Sequence, residues 1–169
     1  MKRVFSLLAC ALPLLTASCG YQLGGLVNGK MEGMKTFDIT MFENQTTYPH
    51  VAMQMTTALA DAMQSDGTFK MDSASRCDFT VSGKVKSVQA SSLTTNPDDT
   101  YLSLEIGLEV LVDYTITNRK TGLTIKSGTV RGKGSYFNTE GNVQSAREAA
   151  LSYATRMAAL VLVDELTLP

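Results

Sequence analysis

Lys126, Arg131 and Lys133 follow Glu105, Glu109 and Asp113 in the second half of the chain, across a short glycine-bearing connection. A guanidinium offers parallel donors in a fork that fits a carboxylate or a phosphate, and an ammonium offers a point charge. The three acids recur at every fourth residue, a spacing that puts them all on one face of a strand. Two readings of the basic set stay open. In one, the bases and acids form cross-strand ion pairs worth about 0–1 kcal/mol each, and a hairpin register with Glu109 opposite Arg131 suits that reading. In the other, Arg131, Lys133 and Lys126 form a phosphate-binding patch.

Other chemistry finds little support. His50 is the only histidine, and no nucleophile is aimed at it by sequence, so it is read as a solvated or capping residue at a helix start. No CxxC, HxxxH or EF-hand spacing occurs, so neither a metal site nor a cofactor is expected. The run Gly128 to Gly134 has P-loop-like glycines, but one residue too few between them and Gly134 where Ser or Thr would bind magnesium. It is read as a flexible strand. No catalytic residue is assigned, and the chain is not expected to be an enzyme. With 15 basic and 16 acidic side chains the net charge is −1, so there is no general case for nucleic acid.

Cysteine chemistry is more informative. Lys2 and Arg3 precede an apolar run from Val4 to Leu15, and small residues then lead to Cys19, in LLTASCGYQLGG. This is the layout of an export signal, and about 12 apolar residues are too few to span roughly 30 Å of hydrocarbon. Cysteine directly after small residues resembles the bacterial lipobox, whose thiol is acylated before the signal is removed. Residues 1–18 are then the signal peptide and Cys19 the lipidated first residue, with palmitate among its chains. A plain signal peptide leaving a free thiol is the alternative. Cys10 has too short a start before it to compete. Gly20 is not the aspartate that holds lipoproteins in the inner membrane of enteric bacteria, so an outer-membrane, periplasm-facing location is expected. Cys77 is left without a partner and reads as a small packed hydrophobe.

The elements that must position these residues follow from periodicity. Residues 19–35 are a glycine-rich lead-in, and 36–169 form a single α+β domain. Phe37 to Met41 alternate as a strand, and Val51, Met55, Ala58, Leu59 and Ala62 repeat as a helix with Pro49 in its first turn, a cap near Thr47 or Tyr48, and a stop at Gly67. Met53, Met55 and Met63 read as core filling. A short strand starts at Phe69, and Phe79, Val81 and Val85 lie on a longer one with Gly83 as a possible bulge. After a turn at Asn96 to Asp99, Leu102 to Ile116 is apolar at every second residue, a long strand with one buried face. Asn118 to Gly122 turns into a partner strand loosened by Gly128, Gly132 and Gly134. The last helix, capped by Asn142, carries Val143, Ala146, Ala150, Tyr153, Ala154, Met157, Leu160 and Val161 as one stripe. The order β-α-β-β-β-β-α predicts a two-layer sandwich, two helices on one face of a mixed, mostly antiparallel sheet.

On these residues the chain resembles a family. Cys19-Gly20-Tyr21-Gln22-Leu23 is similar to the opening of the lipopolysaccharide-assembly lipoproteins (LptE), and so is the strand-helix-strands-helix order over Lys35 to Leu168. The resemblance implies a Gram-negative outer-membrane lipoprotein, lodged as a plug in a β-barrel lipopolysaccharide translocon of the LptD kind. It implies lipid A phosphate contacts at Arg131 and Lys133, although the connection Thr94 to Thr100 carries Asp98 and Asp99 where the family has bases. Phe42-Glu43-Asn44-Gln45-Thr46, with Asp66 to Phe69, also resembles lipoproteins that activate peptidoglycan synthases or build curli-type secretion channels.

Overall fold

The computed structural model describes residues 31–95, 103–138 and 142–167. Residues 1–18 read as a signal peptide, Cys10 among them, together with Cys19 and the opening it begins, the turn expected at Asn96 to Asp99, and Leu102, lie outside the described residues. The element order is β1 (Thr36–Ile39), β2 (Glu43–Asn44), α1 (Val51–Asp66), β3 (Lys70–Met71), β4 (Phe79–Thr95), β5 (Ser103–Asn118), β6 (Thr124–Phe137) and α2 (Val143–Thr167). The six strands form one mixed sheet in the order β3-β1-β4-β5-β6, with β2 added beside β4 beyond the end of β1. β1 pairs in parallel with β3 and β4, and β4, β5 and β6 pair antiparallel. Parallel neighbours need a crossover, and α1 supplies it. The architecture is the two-layer α+β sandwich that the periodicity predicts.

Period 2 assigns the faces of the long hairpin. Leu108, Val110, Val112, Tyr114 and Ile116 are buried beneath the helices with Phe79, Val81 and Val85 of β4, Val51, Met55 and Leu59 of α1, and Leu162 and Leu166 of α2. Phe79 packs edge-on to Phe69 and stacks on Phe37, at centroid distances of 5.0 and 6.2 Å. Met31, at the end of the lead-in, belongs to this core as well. Cys77 is buried, with Sγ 3.7 Å from both the Ala74 carbonyl and the Thr80 hydroxyl, as a packed small hydrophobe would be.

Four local expectations need correction. β2 pairs with Lys84 and Val85 where only turn residues were read; a strand this short has no periodicity to detect. α1 is not capped by Thr47 or Tyr48: its N-cap is His50, exposed and at φ 68°, with no side-chain cap. Gly83 stays in register opposite Tyr114, and the ladder shifts instead between Val85 and Ser87 and again beyond Ser92; Gly83 is small because the Phe42 ring lies over it. The glycines of β6 do not loosen it either. At Gly132 and Gly134 a Cβ would collide with the backbone of α2 at Ala154, Ala158 and Ala150, so these residues set the close approach of helix to sheet.

The stripe on α2 also differs. Tyr153, Leu160 and Val161 are exposed, while Leu151, Ala158, Ala159, Leu162, Val163 and Leu166 are buried. The helix packs on both β6 and α1, so it buries a wide face, and small residues on both sides had hidden its direction.

Candidate functional site on the open sheet face

The sheet has helices on one face, and among the described residues nothing covers the other. β5 and β6 decide what that open face presents. The register pairs Glu109 with Lys133, Leu111 with Arg131, Asp113 with Thr129 and Glu105 with Phe137. The expected facing of Glu109 and Arg131 is therefore off by two residues along β6. The connection closes as Asn118 N–H donating to the Leu123 carbonyl at 2.9 Å, and a bulge between Ile116 and Thr117 shifts the ladder. Asn118 Oδ1 accepts from the backbone N–H groups of Lys120 and Thr121, and Gly122 takes φ 70°, which fixes this turn.

Four charges on the face are engaged in two ion pairs. Lys133 Nζ lies 3.5 Å from Glu109 Oε2, and Lys86 Nζ lies 3.3 Å from Asp113 Oδ2. The Thr129 hydroxyl donates to Asp113 Oδ1 at 2.6 Å. That hydrogen bond, helped by Lys86, holds the Asp113 carboxyl below its ordinary range. Arg131 is exposed and has no ion-pair partner among the described residues. Its guanidinium is thus the available fork on this face, with Lys133 one strand pleat away.

Lys126 does not join them. It lies on the helix side of β6, where Nζ donates to the Glu165 carbonyl at 2.6 Å and sits 3.5 Å from Glu165 Oε2. A cation at the last turn of α2 suits the partial negative charge of that helix end. The hydroxyl of Tyr114 donates to the same carboxylate, and burial first, then Glu165, pushes the phenol well above its ordinary range. Gly128 leaves room for that ring, since a Cβ there would lie 2.9 Å from the Tyr114 oxygen. Tyr114, Lys126 and Glu165 are a structural lock between sheet and helix. Alternation itself carries the signal that separates Lys126 from Arg131 and Lys133, because even and odd positions face opposite sides.

The remaining chemistry is sparse. Among the described residues no group of His, Cys, Asp and Glu is arranged to hold a metal ion, and no helix is long and apolar enough to cross a membrane. The face can bind an anion at Arg131 and Lys133 and can present a flat polar surface to a partner.

No family model matches the chain, and no curated protein matches it either. Solved structures share the fold. A protein from Xanthomonas campestris, XCC0632, superposes with a TM-score of 0.57 at 10% identity, covering 79% of this chain and 83% of that one. A chain of the PelC dodecamer from Paraburkholderia phytofirmans gives 0.51 at 13% identity, covering 85% and 95%. The fold of a Chlamydia trachomatis protein, CT253, agrees at 0.51 and 6% identity, covering 79% and 93%. At these identities the likeness is one of fold.

Proposed function

We propose that this chain is an outer-membrane lipoprotein, anchored through Cys19, that partners a β-barrel translocon in assembling lipopolysaccharide. The lipobox-like start and the LptE resemblance supply the location and the partner. The observation that carries the reading is the open sheet face with Arg131 unpaired on it, joined to an order of elements that agrees with the resemblance. In this reading the protein works by binding and not by catalysis: the face meets the barrel or its lipid cargo, and Arg131 with Lys133 supplies the charge for lipid A phosphates. A lipid anchor of two or three chains holds the domain to the membrane, at about 0.8 kcal/mol for each buried methylene.

The test is copurification of the full lipoprotein from gently solubilised native membranes. A one-to-one complex with a large β-barrel supports the proposal. The fold likeness to a chain of the PelC dodecamer, together with the resemblance of the first unit to curli-type secretion lipoproteins, supports a second reading, a ring-forming secretion component. That reading expects a homo-oligomer without a barrel. A synthase activator would copurify with a peptidoglycan synthase instead.

A further inference from the structure

The two long edges of the sheet are guarded differently. The edge strand β6 carries the exposed charges Arg131 and Lys133, of the kind that keep other strands away. The outer edge of β4 is occupied only over its first part. β1 pairs with Phe79 to Val81, β2 pairs with Lys84 and Val85, and Gln45 N–H donates to the Val85 carbonyl at 3.0 Å. After the bulge at Lys86, the run SVQASSLT from Ser87 to Thr94 is bonded to β5 on one side, in unbroken register from Ser87 to Ser92 and with a second register shift at Leu93. Among the described residues nothing pairs its other side.

That run contains no charge, no proline and no glycine. Most of it is exposed, including Leu93 at 57%. A strand edge presents a row of backbone N–H and C=O groups in register, and such a row is matched by another extended backbone and by little else. Two cations mark its inner end, since Lys84 and Lys86 are exposed there and Lys86 reaches Asp113 across the sheet.

We propose that the outer edge of β4 from Ser87 to Thr94 is a docking site for an extended segment of a partner polypeptide. The segment adds to the sheet as a strand with an uncharged middle, and its acidic end meets Lys84 and Lys86. A second copy of this chain fits less well. Pairing the whole run antiparallel to itself, about Ala90, would drive the first copy's chain past Thr94 into the β2 that covers Val85 of the other. Pairing it with β6 of a second copy would bring Arg131 and Lys133 toward Lys84 and Lys86. The inference goes beyond the barrel reading, because it rests on the backbone edge of β4 and not on the charged face.

The test uses the full lipoprotein in lipid nanodiscs and the labelled peptide Asp-Val-Thr-Val-Thr-Val-Thr-Asp, followed by fluorescence anisotropy and hydrogen exchange. Saturable binding is expected, with exchange slowed over Ser87 to Thr94 and unchanged over β6. Two N-methylated peptides sharpen the result, each blocking one alternate set of amides. In a strand only one set faces the protein, so one of them should lose binding by at least about tenfold and the other should keep it. Lys84→Glu should weaken the parent peptide severalfold. No saturable binding, equal binding of both methylated peptides, or protection on β6 would overturn the proposal. So would full protection of Ser87 to Thr94 before peptide is added, which would put a second copy or residues 19–30 on the edge.

Discussion

Lys133 stands opposite Glu109 across β5 and β6, its Nζ 3.5 Å from Oε2, while Arg131 stands opposite Leu111 and has no ion-pair partner among the described residues. The two bases therefore differ in what they can give a ligand. Arg131 offers an uncommitted fork, and Lys133 must share its charge with Glu109.

That difference predicts an ordered response. Arg131→Glu should leave thermal stability within about 0.5 kcal/mol, as an exposed change away from packing. If the face takes lipid A phosphates, the same change should abolish that binding, since a unit charge at about 4 Å and an effective dielectric of about 20 amounts to roughly 4 kcal/mol before screening. Lys133→Glu should cost up to about 1 kcal/mol by placing like charges opposite each other, with a smaller effect on binding. Binding isotherms for lipid A and its dephosphorylated form check this, and equal binding of both forms by the unaltered protein would remove the phosphate site.

The helix layer rests on small residues of β6. Gly132→Val should push α2 away from the sheet and destabilise by about 1–3 kcal/mol or more, because the space a side chain needs is filled by α2 backbone. Leu108→Ala should cost about 2–5 kcal/mol and Glu109→Ala under about 1 kcal/mol, one facing the core and the other solvent. Thermal melts that ranked Glu109→Ala above Leu108→Ala would reverse the assignment of faces.

Acid should loosen the start of β1. Asp78 Oδ2 accepts from the Lys35 and Thr36 backbone N–H groups at 2.9 and 3.1 Å, and the Lys35 bond above all pulls its carboxyl down to about 2 from an ordinary 3.8. A depressed folded value means that the stability it gives is complete above about pH 4 and is lost as pH falls toward 2. Asp78→Ala should destabilise at neutral pH by about 1–3 kcal/mol and flatten the stability curve in that acid window. An unchanged curve would show that the interaction contributes nothing.

Much of the architecture was legible because burial leaves a period. The alternation from Ile106 to Ile116 placed β5 and its buried face, and the spacing of Val51, Met55 and Leu59 placed α1. What the sequence hid has physical reasons. β2 is too short to show a pattern, and the Ala-rich α2 has too little contrast between faces. The pairing of Lys133 and not Arg131 with Glu109 depends on one bulge and one turn, neither of which composition reveals. The glycines of β6 read as looseness when their role is close packing, since glycine marks both.

The anchor has its own test. Cys19→Ala should lose labelling by radioactive palmitate and release the protein from the membrane, while Cys10→Ala should keep both. Labelling retained in the Cys19 variant would contradict the lipoprotein assignment.

The central claim is a lipid-anchored protein that serves a β-barrel partner, and the mass and composition of the complex isolated from native outer membranes test it most directly. The account predicts one copy of this chain bound to one large β-barrel, in a complex that survives the Arg131→Glu and Lys133→Glu double change, because stable interfaces depend chiefly on buried apolar anchors and less on rim charges. Recovery of the chain as a homo-oligomeric ring, or bound to a peptidoglycan synthase with no barrel present, would contradict it.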